Sequence, residues 1–304
     1  MIQKAGAQVV RGFLMGAADV VPGVSGGTIA LVLGIYQKLI DTVRDGARAL
    51  GTLAKGDVKG FANRLRGIDW WFIVPLGVGI LLAVGSLASV IEHQLEENAE
   101  AMAGLFFGLV VASVIVAFGL LGEKTPQMFA IMAVVAVAVF VLLGYQGAPV
   151  ADPSPIVFVG AGALAICAMI LPGISGSFIL LMIGMYAAVI HTIDEREIVD
   201  AALIGLGCII GLALFSSLLG WVLERAFDTV MAALIGLMLG SLRVLWPWPN
   251  GVGIISEIEE EAQDGTGLEW PAEAGDWVAP SILAVMAIVV VLIVAEVGRR
   301  YSAD

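Results

Sequence analysis

The stretch "VVPGVSGGTIALVLGIY", residues 20–36, sets Pro22, Gly23, Gly26 and Gly27 inside an otherwise apolar segment, and "ILPGISGSFILLMIGMY", residues 170–186, repeats the device. In lipid these residues interrupt a helix, and non-helical backbone at membrane depth is tolerated only where protein or a wet cavity satisfies it. Shifted by 150, residues 22–36 fall on 172–186 with eight identities in fifteen, including Pro22/Pro172, Gly23/Gly173, Ser25/Ser175, Gly26/Gly176 and Tyr36/Tyr186. A break placed twice at matching positions is a design element, and it organises the rest of the chain.

Around it the chain is strongly apolar: 304 residues, 60% hydrophobic, mean hydropathy +0.99. Six runs nearly free of charge, 70–95, 101–121, 127–146, 201–223, 229–246 and 280–297, are long enough to cross a ~30 Å hydrocarbon core as helices. A membrane barrel would show period-2 alternation over ~10-residue strands, which is absent. The expected fold class is therefore an all-α polytopic membrane protein. Residues 1–21 resemble a signal peptide, but Arg11 interrupts the apolar run and the segment belongs to the repeat, so cleavage is not expected. Cys167 and Cys208 lie in apolar segments outside any CxxC or Cys/His cluster, so no disulfide, metal or cofactor is inferred.

Further shifts extend the repeat. At 128, Gly77, Gly79, Ser89, Leu95 and Glu96 fall on Gly205, Gly207, Ser217, Leu223 and Glu224, and "FGLVVAS" (107–113) on "IGLMLGS" (235–241). At 154, Pro126, Met132, Ala133 and Gly144 fall on Pro280, Met286, Ala287 and Gly298. Repeat one spans 1–147, with a hairpin at about 5–40, a basic loop over 41–69, and helices 70–95, 101–121 and 127–146. Repeat two spans 151–300, with a hairpin at about 156–190, helices 201–223, 229–246 and 280–297, and an external acidic insert at 247–279. Each unit is a Pro/Gly-interrupted hairpin, re-entrant or tightly kinked, plus three spanning helices. Three is odd, so the second repeat is expected to be inverted.

Charge supports that topology. With both termini in the cytoplasm of a plasma-membrane protein, 13 of the 15 basic residues fall on the cytoplasmic side, leaving Arg196 and Arg243 outside. The net charge is −12, and residues 256–277 carry eight acidic residues and no basic one. With five lysines in the chain, this fits a halophilic source, or simply an acidic outside loop. Trp70 and Trp71 read as an aromatic belt, and Glu224 and Arg225 as a pair at a helix end.

Inverted repeats with broken helices mark secondary transporters, whose sites lie at the repeat interface near the midplane. A helix restarting near Thr28 would offer free N–H groups and a positive dipole end, which favour a phosphate. Ser25, Gly26, Gly27 and Thr28, with Ser175, Gly176 and Ser177, are the expected phosphate-binding residues. Pro22, Gly23, Pro172 and Gly173 form the hairpins. Arg11 and Arg243 are further phosphate contacts, or alternatively boundary and interfacial anchors. Asp19, three residues before Pro22, is a candidate for proton coupling or for bracing the loop. The competing reading of the glycines is close helix packing alone. Two isolated histidines, no Walker loop and no nucleophile elbow argue against an enzyme.

"RGFLMGAADVVPGVSGGTIALVLGIYQKLID", with its second copy "LPGISGSFILLMIGMY", resembles the polyprenyl-phosphate translocases of the PopT type over about residues 8–298. The resemblance implies a carrier that returns undecaprenyl phosphate, or a dolichyl-type phosphate in an archaeal source, from the outer to the cytoplasmic leaflet for reuse. It implies duplicated re-entrant hairpins and carries over Pro22, Gly23, Ser25, Gly26, Gly27 and Thr28 of the first motif and Pro172, Gly173, Ser175 and Gly176 of the second. The second copy departs at Ser177 and Phe178, where the first has Gly27 and Thr28. The implied partners are the polyprenyl phosphate and the bilayer, with no nucleic acid; a homo-oligomer is compatible with the sequence. The alternative is a secondary transporter of a small soluble anion using the same broken-helix site.

Overall fold

The structure is a computed structural model and describes residues 2–21, 24–145, 147–248, 268–271, 273 and 275–302. Pro22, Gly23, most of the acidic insert and the side chains of Arg299 and Arg300 lie outside the described residues. Among the described residues the chain forms thirteen α-helices and no strand.

The first half runs α1 (Ile2–Asp19), α2 (Gly26–Val32), α3 (Tyr36–Ala54), α4 (Val58–Gly67), α5 (Trp70–Glu97), α6 (Ala99–Leu120) and α7 (Pro126–Leu142). The second runs α8 (Pro155–Ile170), α9 (Gly176–Met182), α10 (Tyr186–Asp194), α11 (Ile198–Arg225), α12 (Phe227–Ser241) and α13 (Val278–Ser302). Four of them, α5, α6, α11 and α13, are long and apolar enough to cross a membrane. The pair α9 and α10, bent by 117°, makes a fifth if counted as one broken span or re-entrant loop. The apolar runs 127–146 and 229–246 yield shorter helices, α7 and α12, of 17 and 15 residues. α7 gives way to a turn at Leu143–Gly144, and α12 to the turns of "LRVLW" ahead of Pro247.

Helix breaks recur at equivalent places. α2 ends with Gly34 at φ +69° and α9 with Gly184 at φ +72°. In each, the glycine N–H and the next N–H fold back on the last turn, Gly34 to Leu31 and Ile35 to Ala30, then Gly184 to Leu181 and Met185 to Leu180. This double bond to the last carbonyls needs a left-handed residue, which only glycine adopts without steric cost. Segment 41–69 is helical through Ala54 and again over Val58–Gly67. Asp69 caps α5 by accepting from Phe72 N (3.1 Å), and Lys38 Nζ, 2.7 Å away, holds its carboxyl below the usual carboxylate range.

The tightest helix pairs are built on glycine in matching register. α1 packs on α5, and α8 on α11. A Cβ on Gly12 would lie 1.9 Å from Leu76 O, and on Gly79, 2.1 Å from Val9 O. In the second half a Cβ on Gly162 would lie 2.2 Å from Ile204 O, and on Gly207, 2.0 Å from Val159 O. Each second-half contact is its first-half counterpart carried along by the sequence offsets, 150 for α1/α8 and 128 for α5/α11. Between the halves, α6 pairs with α13 and α7 with α12, again across glycine: Gly108 on Ala284 and Gly236 on Met132. The main core gathers α1, α2, α5, α6, α11 and α12, and α12 buries ten of its fifteen residues.

Glu224 pairs not with Arg225 but with Arg44 of α3, whose side chain is only 10% exposed; Arg225 stacks over Trp221 at 4.3 Å. A helix-end residue reaches a neighbouring helix more readily than its own successor, because adjacent helical side chains diverge.

Leucine at Gly79 or Gly207 should force the paired helices apart and destabilise the detergent-solubilised protein by about 3 kcal/mol or more, seen as a lower thermal midpoint. Leucine at Gly77 or Gly205, where a Cβ meets nothing within 4 Å, should leave the midpoint at or above wild type.

Candidate functional site

The two interrupted helices meet. α1 stops at Asp19, and the chain re-enters helix at Gly26 with Ser25 as N-cap in extended conformation (φ −128°, ψ 138°). Ser25 Oγ accepts from Gly27 N (3.1 Å), as an N-cap hydroxyl does. It also donates across the halves to Met169 O at the end of α8 (2.7 Å). Tyr36 OH donates to the adjacent Ile170 O (3.3 Å), and Gly173 N donates to Thr28 Oγ1 (2.9 Å). The first hairpin thus caps the exposed end of the second hairpin's leading helix.

Steric limits follow. A Cβ on Gly27 would lie 2.6 Å from Ile170 O, so glycine is the residue that lets the two elbows touch. Gly173 has φ +88°, and a Cβ there would meet Met238 Cα (2.9 Å) and Ser241 Oγ (3.0 Å) of α12. Ser25 and Thr28 are buried, at 1% and 0% exposed.

Asp19 supplies the local charge. Its Oδ1 accepts from Gly26 N at 2.6 Å, a short charge-assisted bond at the start of α2. Among the described residues no basic side chain forms an ion pair with it. The first-turn N–H groups are therefore engaged by protein in this state: Gly26 by Asp19, Gly27 by Ser25 Oγ and Thr28 by Ser25 O.

The remaining expected site residues distribute unevenly. Ser175 and Ser177 hydrogen-bond each other (2.7 Å), and Gly176 packs on Met169 and Ala165 of α8. Arg11 sits ~12 Å along α1 from Asp19 and bonds Gln8 Oε1 at 3.4 Å. Arg243 lies over Phe140 (4.8 Å), bonds Phe140 O (3.4 Å) and packs on Gly144, all of the α7 end. Asp19, Ser25, Gly26, Gly27, Thr28 and Gly173 form one cluster; the contacts just named for Arg11 and Arg243 lie elsewhere. Tyr36 joins the cluster without having been singled out as a site residue. Its signal was present, since Tyr36 and Tyr186 close the fifteen-residue repeat. A groove of about 460 Å³ beside the α4–α5 corner is lined by Lys38, Asp41, Asp45 and Asp69, and three carboxylates against one ammonium make it unsuited to phosphate. No group of three or more metal-ligating side chains occurs among the described residues.

Long apolar helices and interrupted helices that meet inside the chain are features of polytopic membrane transporters. Residues 15–262 match the VCA0040-like family, described as undecaprenyl phosphate translocase-like, and the chain belongs to that family. It is 42% identical over 241 residues to a polyprenyl-phosphate transporter of Vibrio cholerae serotype O1, covering 79% of this chain and 77% of that one. It is 30% identical over 256 residues to a polyprenyl-phosphate transporter of Staphylococcus aureus, covering 79% and 85% respectively. No solved structure matches the chain.

Ser25→Ala removes the acceptor of one buried N–H and the donor to one carbonyl, so it should lower stability by about 2 kcal/mol or more. Ser175→Ala, whose hydroxyl hydrogen-bonds Ser177 alone among the described residues, should cost less than about 1 kcal/mol. Thermal midpoints of the two variants in one detergent check the difference.

Proposed function

We propose that this protein flips a polyprenyl phosphate carrier lipid, such as undecaprenyl or dolichyl phosphate, from the outer to the cytoplasmic leaflet for recycling. The phosphate meets the hairpin starts at Ser25–Thr28 and Ser175–Ser177, while the isoprenoid tail stays in lipid. Arg11 and Arg243 draw the headgroup in from the two sides. The halves are inverted repeats with re-entrant hairpins, and their rocking alternates access. Both termini face the cytoplasm, a reading the basic side chains support.

The observation that carries this proposal is the Asp19 carboxylate on Gly26 N at 2.6 Å. The start of α2 already selects an anionic oxygen, supplied by the protein itself. A phosphate oxygen has the same chemistry, and exchange between the two lets a proton on Asp19 couple to transport. The polyprenyl-phosphate transporters named among the relatives support the substrate class.

The test is leaflet exchange of a fluorescent short-chain polyprenyl phosphate in proteoliposomes, read by quencher accessibility with and without a pH gradient. Gly26→Leu, whose side chain would collide with Asp19 Oδ2, should abolish exchange in protein that remains folded. Asp19→Asn should retain exchange but lose its response to the gradient. Uptake of inorganic phosphate without lipid exchange would overturn the lipid reading in favour of a soluble-anion transporter.

A further inference from the structure

Helix α4 carries a surface that neither the hairpins nor the spanning core uses. It ends at Gly67, with two residues between it and the start of α5 at Trp70, and Trp70 Nε1 donates back to Leu65 O (2.7 Å). Trp70 and Trp71 are 45% and 67% exposed, as aromatic residues are at a membrane–water boundary. α4 is therefore tied to the level at which a spanning helix leaves the hydrocarbon. The second half has no counterpart, because α10 passes to α11 through only Glu195, Arg196 and Glu197.

The composition of α4 fits one environment. Val58, Phe61, Ala62 and Leu65 recur at i, i+3, i+4 and i+7 and form one stripe. Phe61 and Leu65 are half-buried beside α3, yet α4 buries no residue, and Val58 is 64% exposed. Leu50 and Leu53 near the end of α3 continue the apolar surface, at 47% and 41% exposed. At 100° per residue Lys59 and Arg66 lie on one flank of the stripe and Arg64 on the other, with Gly60, Asn63 and Gly67 behind. Asp57, just before α4, is committed to capping Gly60 N (2.7 Å), and the carboxylates of the groove at its other end pair elsewhere, Asp69 with Lys38, Asp41 with Arg44 and Asp45 with Arg48. Lys55, Lys59, Arg64 and Arg66 are exposed, and none forms an ion pair among the described residues.

We propose that α4, with the exposed end of α3, docks into the headgroup layer beside α5 and selects anionic phospholipids there. The apolar stripe lies at the acyl boundary and the flanking cations reach the lipid phosphates, the arrangement of an interfacial amphipathic helix. In a chain of net charge −12, four unpaired cations on one short surface single out the negative leaflet surface as its complement. The proposal stands apart from the transport reading, since no hairpin residue takes part.

Amide hydrogen exchange of residues 55–66 tests it in the full-length protein, in nanodiscs of phosphatidylcholine and in nanodiscs of equal parts phosphatidylcholine and phosphatidylglycerol. Exchange should be roughly tenfold slower with phosphatidylglycerol at low salt, and high salt should shrink the difference. The K59E/R64E/R66E variant should exchange equally in both lipids. The three positions are exposed, so the fold should survive, and the wild-type comparison stands without the variant. Equal wild-type exchange in the two lipids would overturn the proposal, as would phosphatidylglycerol protection that persists in the triple variant. An acidic protein as the true partner would give the first of these results.

Discussion

Backbone polar groups at a helix break inside a membrane must find partners in the protein, and here the two breaks satisfy each other. α8 ends with carbonyls that have no acceptor role left inside their own helix. Ser25 and Tyr36, both from the other half, donate to two of them, and Thr28 accepts the N–H of Gly173. Each such group left bare would cost about 1–3 kcal/mol, more in hydrocarbon. The halves are therefore coupled at their centre by hydrogen bonding as well as by apolar packing. Any motion that parts them must bring water or ligand to these groups at the same moment.

The first break supplies side chains to these bonds and the second supplies backbone groups, and the sequence differences explain it. Gly27 has no side chain because Ile170 O occupies that space, whereas its counterpart Ser177 turns to Ser175. Thr28 becomes Phe178, which is 2% exposed and packs with Leu143 and Val244 instead of reaching across. A similar imbalance appears further out. α3 has 19 residues and packs on α11 of the other half, sealed by Arg44 and Glu224, while its counterpart α10 has nine. Sequence duplication has thus been kept in the glycine register of the helix pairs and lost where the elbows make contact.

What was legible in the sequence follows the same division. α5 and α11 are unbroken helices of 28 residues built on long apolar runs, and hydropathy locates them to within three residues at each end. α7 and α12 end earlier than their apolar runs because hydropathy registers composition, not whether the backbone stays helical through Gly144 or Arg243. Segment 41–69 reads as a loop by polarity, but its apolar residues keep a helical period, and a helix lying in the headgroup layer is expected to be polar overall. At the site, the serines, threonine and glycines stood out through repetition. Their partners did not, because the carbonyls of Met169 and Ile170 exist in every residue and carry no signature. Only the folded chain identifies which carbonyls are left over.

The 150-residue shift also places Met169 opposite Asp19. One elbow thus carries a carboxylate at its helix start, while the other carries a thioether packed against Gly176. Asp19 is compensated by the Gly26 N–H and the start of α2, without a basic partner among the described residues. A second anion brought to the same N–H groups would face like-charge repulsion at hydrogen-bonding distance, in surroundings that screen it poorly. Phosphate and carboxylate therefore cannot share that terminus as two charged groups. Either the carboxylate swings away, freeing Gly26 N, or it takes up a proton and stays. On either route no more than one of the two would bear its charge at the α2 start, and that is the condition under which binding of one anion can be coupled to the charge state of the other.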